Sequence, residues 1–124
     1  MPTARRDEMA SESVGDYESR SAEVGDYTAS FETMPKGFAP PAELFKGLPE
    51  DACHCPHIGY LTKGVIRYTF TDGTAETVRA GDVYFIRPGH HVECLEGSEA
   101  IDFSPTEQLR EVIEVVNRNM EGAR

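Results

Sequence analysis

The sequence lacks any long apolar run. Its 124 residues nowhere contain the roughly 20 consecutive apolar side chains that cross a bilayer, or the shorter apolar core of a secretory signal. We therefore expect a cytoplasmic protein without a membrane partner. The length is typical of one compact domain with its own hydrophobic core.

Basic residues are also scarce. Lysine and arginine number 12 against 22 aspartates and glutamates, which gives a formal net charge of -10. A surface with this charge repels phosphate backbones and anionic lipid headgroups. Nucleic acid is therefore not an expected partner.

Cysteine is limited to three residues, an odd number. Cys53 and Cys55 are separated by a single residue, which is too short a spacing for an unstrained disulfide. We expect reduced thiols, because nothing in this pattern requires an oxidising compartment.

Large apolar side chains are few in residues 1–24, which are rich in Ser, Glu, Asp and Arg. Such a segment buries too little surface to offset the entropy of ordering it, so the composition predicts a mobile N-terminal arm. The sequence "VGDY" occurs at residues 14–17 and again at 24–27. This repeat is compatible with a duplicated binding tag or with a local duplication beside the first strand.

From residue 25 onward the pattern predicts an all-β domain. Short strands are separated by turns every eight to twelve residues or so, as in a sandwich or barrel. Ile66, Tyr68 and Phe70 alternate with polar residues, which indicates one buried and one wetter face. The Asp72-Gly73 pair predicts a tight hairpin.

A helix is predicted over residues 105–124. Ser104 is placed as its cap, and Pro105 suits the first helical position. One helical stripe is apolar, and we expect it to pack on the barrel or on a second subunit. This stripe consists of Leu109, Val112, Ile113, Val116 and Met120.

Metal-binding side chains are concentrated in "CHCPHIGY", residues 53–60. In a strand, alternation would direct Cys53, Cys55 and His57 to one face. Two thiolates and an imidazole, completed by water or by a histidine of the "PGHH" turn, would suit Zn²⁺ well and Fe²⁺ less well. The alternative is that these are inert buried thiols, since cysteine is among the most buried residue types.

The stretch "GYLTKGVIRYTFTDGTAETVRAGDVYFIRPGHH" resembles the cupin family, and the resemblance covers roughly residues 53–104. "GDVYFI" followed by Gly89 is similar to the second cupin motif, and "YLTKG" is similar to the end of the first. The resemblance implies a double-stranded β-helix, or jelly-roll barrel, over residues 25–104, with the C-terminal α-helix packed against it. Small cupins also pair their sheets, so we expect a homodimer that uses Ile66, Tyr68, Phe70 and the helix.

The usual cupin ligands, three histidines and a glutamate, are absent. Counted from the motif glycines, His57 stands at the glutamate position and the second-motif histidine falls on Val92. The two first-motif histidines fall near Asp51 and Cys53. The resemblance therefore implies that His57 points into the barrel. The resulting candidate metal ligands are Cys53, Cys55, His57 and His91.

A pocket for an anionic or sugar-like ligand is expected beside these residues. Its candidate lining is Tyr60, Arg67, Tyr84, His90 and Cys94. The sequence thus predicts a small-molecule-binding cupin, with a metal-dependent enzyme acting on a small polar substrate as its catalytic form. The alternative is a non-catalytic ligand-binding or redox- or metal-sensing module, because fold alone does not determine function.

Overall fold

A computed structural model describes residues 2–122 of the chain. It contains seven strands and a C-terminal helix, joined by three short 3-10 turns. The strands are β1 (Ala10–Val14), β2 (Tyr17–Val24), β3 (Tyr27–Met34), β4 (His57–Phe70), β5 (Ala75–Arg79), β6 (Val83–Ile86) and β7 (His90–Pro105), and the helix is α1 (Thr106–Gly122).

The strands form a single antiparallel sheet in the order β1-β2-β3-β7-β4-β5, with β6 paired to β4. The long strands β4 and β7 pair along most of their length, interrupted by register shifts between Leu61 and Ile66. The predicted all-β barrel with one C-terminal helix is confirmed. None of the helices in the described range has the length and apolar character that a membrane crossing requires.

The barrel core lies on the inner face of the sheet. Its buried members are Met34, Leu61, Ile66, Tyr68, Phe70, Val78, Tyr84, Ile86, Cys94 and Ala100. Three of these, Ile66, Tyr68 and Phe70, were expected to supply a dimer surface. They point inward instead, because alternation along β4 directs them to the core and leaves their polar neighbours outside.

Residues 10–24 form two strands, in contrast to the mobile arm predicted from composition. Both copies of "VGDY" are hairpin turns, since Val14 pairs with Tyr17 and Val24 pairs with Tyr27 across a two-residue Gly-Asp loop. The first loop residue of each has a positive φ, which glycine adopts readily. Pairing with β3 therefore orders a polar segment that has no core of its own.

The apolar stripe of α1 packs against the segment that precedes β4. Val112 is buried there with Cys55, and Leu109 and Val116 contact the same cluster. Ile113, predicted to share this stripe, is nearly half exposed. Ser104 lies within β7, so the predicted helix cap is instead part of the barrel wall.

Gly59 allows an unusually close approach inside the barrel. A Cβ atom at this position would lie 2.6 Å from both the Ile101 carbonyl oxygen and the Tyr84 hydroxyl, and 2.7 Å from the Asp102 Cβ. Because β4, β6 and β7 meet at this point, only glycine leaves room for the Tyr84 hydroxyl beside Asp102.

We predict that Gly59→Ala lowers the free energy of unfolding by about 1 to 3 kcal/mol, because the added methyl group overpacks against backbone that cannot move aside. Urea denaturation would measure the loss. Gly97→Ala is the matched control, since a Cβ there meets no atom within 4 Å. Equal stability of the two variants would contradict the prediction.

Candidate metal and ligand site

A cavity of about 200 Å³ opens into the barrel. One part of its wall carries the potential metal ligands Cys53, His57 and His90, and another carries the carboxyl groups of Glu32 and Asp102. Apolar side chains contribute most of the remaining surface: Met34, Phe38, Pro40, Phe45, Val92 and Leu109.

Cys53, His57 and His90 place one potential ligand atom each within 4.8 Å of one another. The Cys53 Sγ atom lies 3.9 Å from the His57 Nε2 atom, and the centres of the two imidazole rings are 5.0 Å apart. A single metal ion bound at 2.0 to 2.3 Å, roughly the distances of zinc to nitrogen and sulfur, would bring three such atoms into this range.

Backbone pairing positions Cys53 in this group. Its N–H donates to the His90 carbonyl at 3.1 Å, and its own carbonyl accepts from the N–H groups of Gly89 and His90. Cys53 is therefore fixed to the turn before β7, although it lies outside the named strands. His57 reaches the same point because β4 begins with it.

Both imidazoles are oriented through their Nδ1 atoms. His90 Nδ1–H donates to the Arg87 carbonyl at 2.8 Å, which leaves its Nε2 atom unprotonated in the neutral ring. His57 Nδ1 is 2.7 Å from the Ser104 hydroxyl, so its Nε2 atom is the one that faces Cys53. Partners of this kind commonly orient metal-binding histidines.

The protonation states suit metal binding only in part. Burial lowers the pKa of His57 to about 3, with the charge of His90 as a second cause, and burial lowers the pKa of His90 to about 4. Both rings are therefore neutral near pH 7, as ligands must be. Burial raises the pKa of the Cys53 thiol to about 11, so a bound metal would have to displace its proton.

The other two candidate ligands, Cys55 and His91, lie outside the three-residue group. Cys55 is 0% exposed, and its thiol donates to the Pro56 carbonyl while it packs beside α1. Alternation fails here because residues 54–56 are not in a strand. His91 does line the cavity, where its ring meets Phe45 edge to face.

The candidate pocket residues are divided between inside and outside. His90 belongs to the donor group, and Tyr84 is buried beside the cavity. Cys94 is also buried, but its thiol donates to the Glu96 carbonyl in the core. Tyr60 is 43% exposed and Arg67 is exposed on the outside of the barrel.

The acidic wall of the cavity was not predicted from the sequence. The Tyr17 hydroxyl donates to Glu32 at 2.9 Å, and the Tyr84 hydroxyl donates to Asp102 at 3.3 Å. Asp102 lies between Ile101 and Phe103, so the usual rule of apolar residues inward assigns it to solvent. The alternation of side chains along β7 could have indicated the inward position of Asp102, because it places Asp102 on the same face as Ser104.

Burial strongly perturbs these carboxyl groups. It raises the pKa of Asp102 to about 8, with the charge of Glu32 as the second cause. It also raises the pKa of Glu32, against the opposing hydrogen bond from Tyr17. Asp102 is thus a group that can hold or release a proton near neutral pH.

Comparison with known proteins shows the fold. No protein-family description and no curated protein matches the sequence. Among solved structures, an RmlC-like cupin from Shewanella frigidimarina is similar with a TM-score of 0.57 and 20% identity over 82% of this chain and 88% of that chain. A cupin-2 domain protein from the same organism matches with a TM-score of 0.50 and 20% identity over 70% of this chain and 78% of the other.

A variant of Bacillus subtilis oxalate decarboxylase is also similar, with a TM-score of 0.60 and 15% identity. The match covers 81% of this chain but only 28% of that longer protein. These likenesses, together with the antiparallel barrel, show that the chain has the fold of the small cupins, as the resemblance of its glycine motifs implied.

We predict that stability falls between pH 6.5 and 8 in the metal-free protein. Folded protein keeps the Asp102 proton up to about pH 8, whereas an unfolded chain releases it near pH 4. The unfolded state then binds fewer protons, so unfolding becomes more favourable as pH rises. His57 and His90 weaken this trend only at its acidic end, because their imidazoles are neutral in the folded state and lose their remaining protons in the unfolded state just above about pH 6.5.

The measurement is the melting temperature at several pH values, which should fall by a few degrees across the window. Asp102→Asn removes the titrating group and should flatten this dependence. Asp16→Asn, exposed in a hairpin turn, is the matched control and should behave as the wild type. A wild type and an Asp102→Asn variant with parallel pH profiles would refute the assignment.

Proposed function

We propose that this cupin binds one divalent metal ion through Cys53, His57 and His90, and that it binds a small polar molecule in the adjoining cavity. The observation that carries the proposal is the convergence of three ligand atoms within 4.8 Å at the wall of an internal cavity. As an enzyme, the protein would act on that molecule beside the metal.

The chemistry of the donor set fits a borderline metal. One thiolate and two imidazoles suit Zn²⁺ well and Fe²⁺ less well. Three protein ligands also leave a fourth position open, which distinguishes catalytic zinc sites from structural sites with four protein ligands. A metal bound here would supply a Lewis acid that polarises a ligand oxygen or a water molecule.

The surrounding residues would perform the remaining steps. Ser104 and the Arg87 carbonyl keep the two imidazoles in the orientation that presents Nε2. The Asp102 carboxyl would donate or accept a proton at its Oδ atoms, with Tyr84 as its hydrogen-bond partner. Phe38, Phe45 and Leu109 would limit the access of bulk water to the cavity.

The metal site predicts stoichiometric zinc in protein prepared without a histidine tag or a chelating resin. His57→Ala and Cys53→Ser should each reduce metal content from about one ion per chain to near zero, because two ligands rarely hold a labile ion. His57→Ala should also lower the melting temperature of the metal-loaded protein, since metal binding contributes to folding stability. Elemental analysis and thermal unfolding measure the two effects.

Two matched controls separate this ligand set from the alternative drawn from the sequence. Cys55→Ala removes a buried thiol outside the group, and His91→Ala removes a cavity imidazole outside it. Both variants should retain the metal. Metal bound in the wild type and lost only in these two variants would show that the group is wrongly assigned.

We also propose a homodimer formed through the outer face of the sheet. The exposed apolar side chains on β3, β4, β6 and β7 form a continuous patch, because register places them side by side on the outer face. They are Tyr27, Ile58, Tyr60, Val83, Phe85 and Phe103. The patch carries no charge, so two copies of a chain with a net charge of -10 could meet there without direct repulsion.

The dimer predicts twice the 13.7 kDa chain mass in light scattering at micromolar concentration. Val83→Glu combined with Phe85→Glu should yield monomers, because these residues are the most exposed members of the patch, 76% and 65%, and would bring like charges together. Val14→Glu is the control, since Val14 is equally exposed but lies on the edge strand β1. A monomeric wild type would exclude the dimer.

A further inference from the structure

The cavity wall contains two carboxyl groups and three histidines, His57, His90 and His91. Within residues 2–122, no lysine or arginine lines it, and neither Glu32 nor Asp102 forms a salt bridge. Arg67, which the sequence suggested for an anionic ligand, does not line the cavity, and neither does Arg87. Arg67 is exposed, and Arg87 is paired with Asp72 at 2.9 Å.

The two carboxyl groups are close neighbours on the inner face. Ser30 of β3 is paired with Asp102 of β7, and Glu32 lies two residues further along the same face. Diagonal neighbours of this kind are about 7 to 8 Å apart, a distance that one small cationic group can bridge between two side chains. Burial raises the pKa of Asp102, and the charge of the nearby Glu32 carboxylate raises it further.

Hydroxyl groups from five strands lie around the pair. Tyr17 comes from β2, Ser30 from β3, Tyr68 from β4, Tyr84 from β6 and Ser104 from β7. A hydroxyl group donates a single hydrogen bond and carries no charge, so these contacts do not neutralise two carboxylates. Buried charge without an opposite charge is costly, and a free protein would avoid the cost by keeping a proton on the pair.

The proposed metal does not remove this imbalance. A divalent ion bound by the Cys53 thiolate and two neutral imidazoles leaves a net charge of one positive unit in that group. Two ionised carboxylates would exceed it by one negative charge, an excess that the free protein avoids by keeping a proton on Asp102. A positively charged ligand group would take the place of that proton, and it is the complement that the cavity lacks.

We infer that the cavity binds a small organic cation, an amine whose ammonium group is held by Asp102 and Glu32 and whose carbon skeleton contacts the apolar wall. This inference rests on the proposed function, because it assigns the substrate class to the same cavity. An engineered 150 Å³ protein cavity holds benzene, so about 200 Å³ limits the ligand to roughly six to eight non-hydrogen atoms. Phe38, Phe45 and Leu109 would cover the skeleton.

The test compares three probes of similar size that differ in charge. Ethanolamine is a cation, ethylene glycol is neutral and glycolate is an anion. Each is titrated into the full chain at pH 7.5, and binding is followed by protein-observed NMR. The metal-free protein is the decisive sample, because amines and carboxylates also coordinate zinc directly. We expect ethanolamine to bind at least tenfold more tightly than glycolate, with ethylene glycol between them. Equal or tighter binding of glycolate would overturn the inference.

Charge-neutral variants identify the residues responsible. Glu32→Gln and Asp102→Asn should each weaken ethanolamine binding at least fivefold. Both should also reduce the ratio of the affinity for ethanolamine to the affinity for glycolate. Glu99→Gln is the matched control, since Glu99 lies on the same strand as Asp102 but is exposed on the outer face. Unchanged binding in the two cavity variants would overturn the inference. If either variant does not fold, the order of the three probes on the wild type decides.

The metal content of each sample is measured in parallel. A protein that contains no zinc but prefers ethanolamine would refute the proposed metal site and support the ligand class. A protein that contains stoichiometric zinc but prefers glycolate in its metal-free form would support the metal site and refute the ligand class.

Discussion

The backbone bridge between Cys53 and His90 is the interaction on which the geometry of the site depends. Three hydrogen bonds join the loop before β4 to the turn before β7, two segments that are far apart in sequence. The bridge places a thiol from a loop beside an imidazole from a strand. Because His57 begins β4 directly after that loop, the same anchor also brings the third donor into range. Backbone hydrogen bonds therefore determine how close the three donor side chains lie.

Over part of its area the sheet is apolar on its outer face, and the alternation of β7 therefore places Asp102 inside. On β7, Ile101 and Phe103 face outward while Asp102 faces the cavity, and on β4 the outward residues Ile58 and Tyr60 surround Gly59. Gly59 leaves the space in which Tyr84 reaches Asp102. The same alternation along β4 and β7 therefore produces the apolar patch on the outer face and the polar cavity on the inner face.

Much of the fold could be predicted from the sequence, because alternation along β4 and the glycine-containing turns are local features. Cys53 and His57 could be identified by counting from those turns. The choice of His90 over His91 could not, since it depends on the pairing of His90 with Cys53 at the start of β7. The exclusion of Cys55 could not either, since it depends on the irregular backbone of residues 54–56. Residues 10–24 also escaped prediction, because their order comes from pairing with β3 and not from their own composition.

The repeated "VGDY" places one sequence in two different environments. Each copy forms a Gly-Asp turn, and the eight-residue strand β2 separates the two turns. Because successive side chains of a strand point to opposite faces, the first and last residues of a strand with an even number of residues lie on opposite faces. Tyr17 consequently points inward, where it stacks on Phe38 and binds Glu32, whereas Tyr27 stands on the outer face. A four-residue repeat spaced by ten residues therefore places one tyrosine beside the internal cavity and the other on the outer face of the barrel.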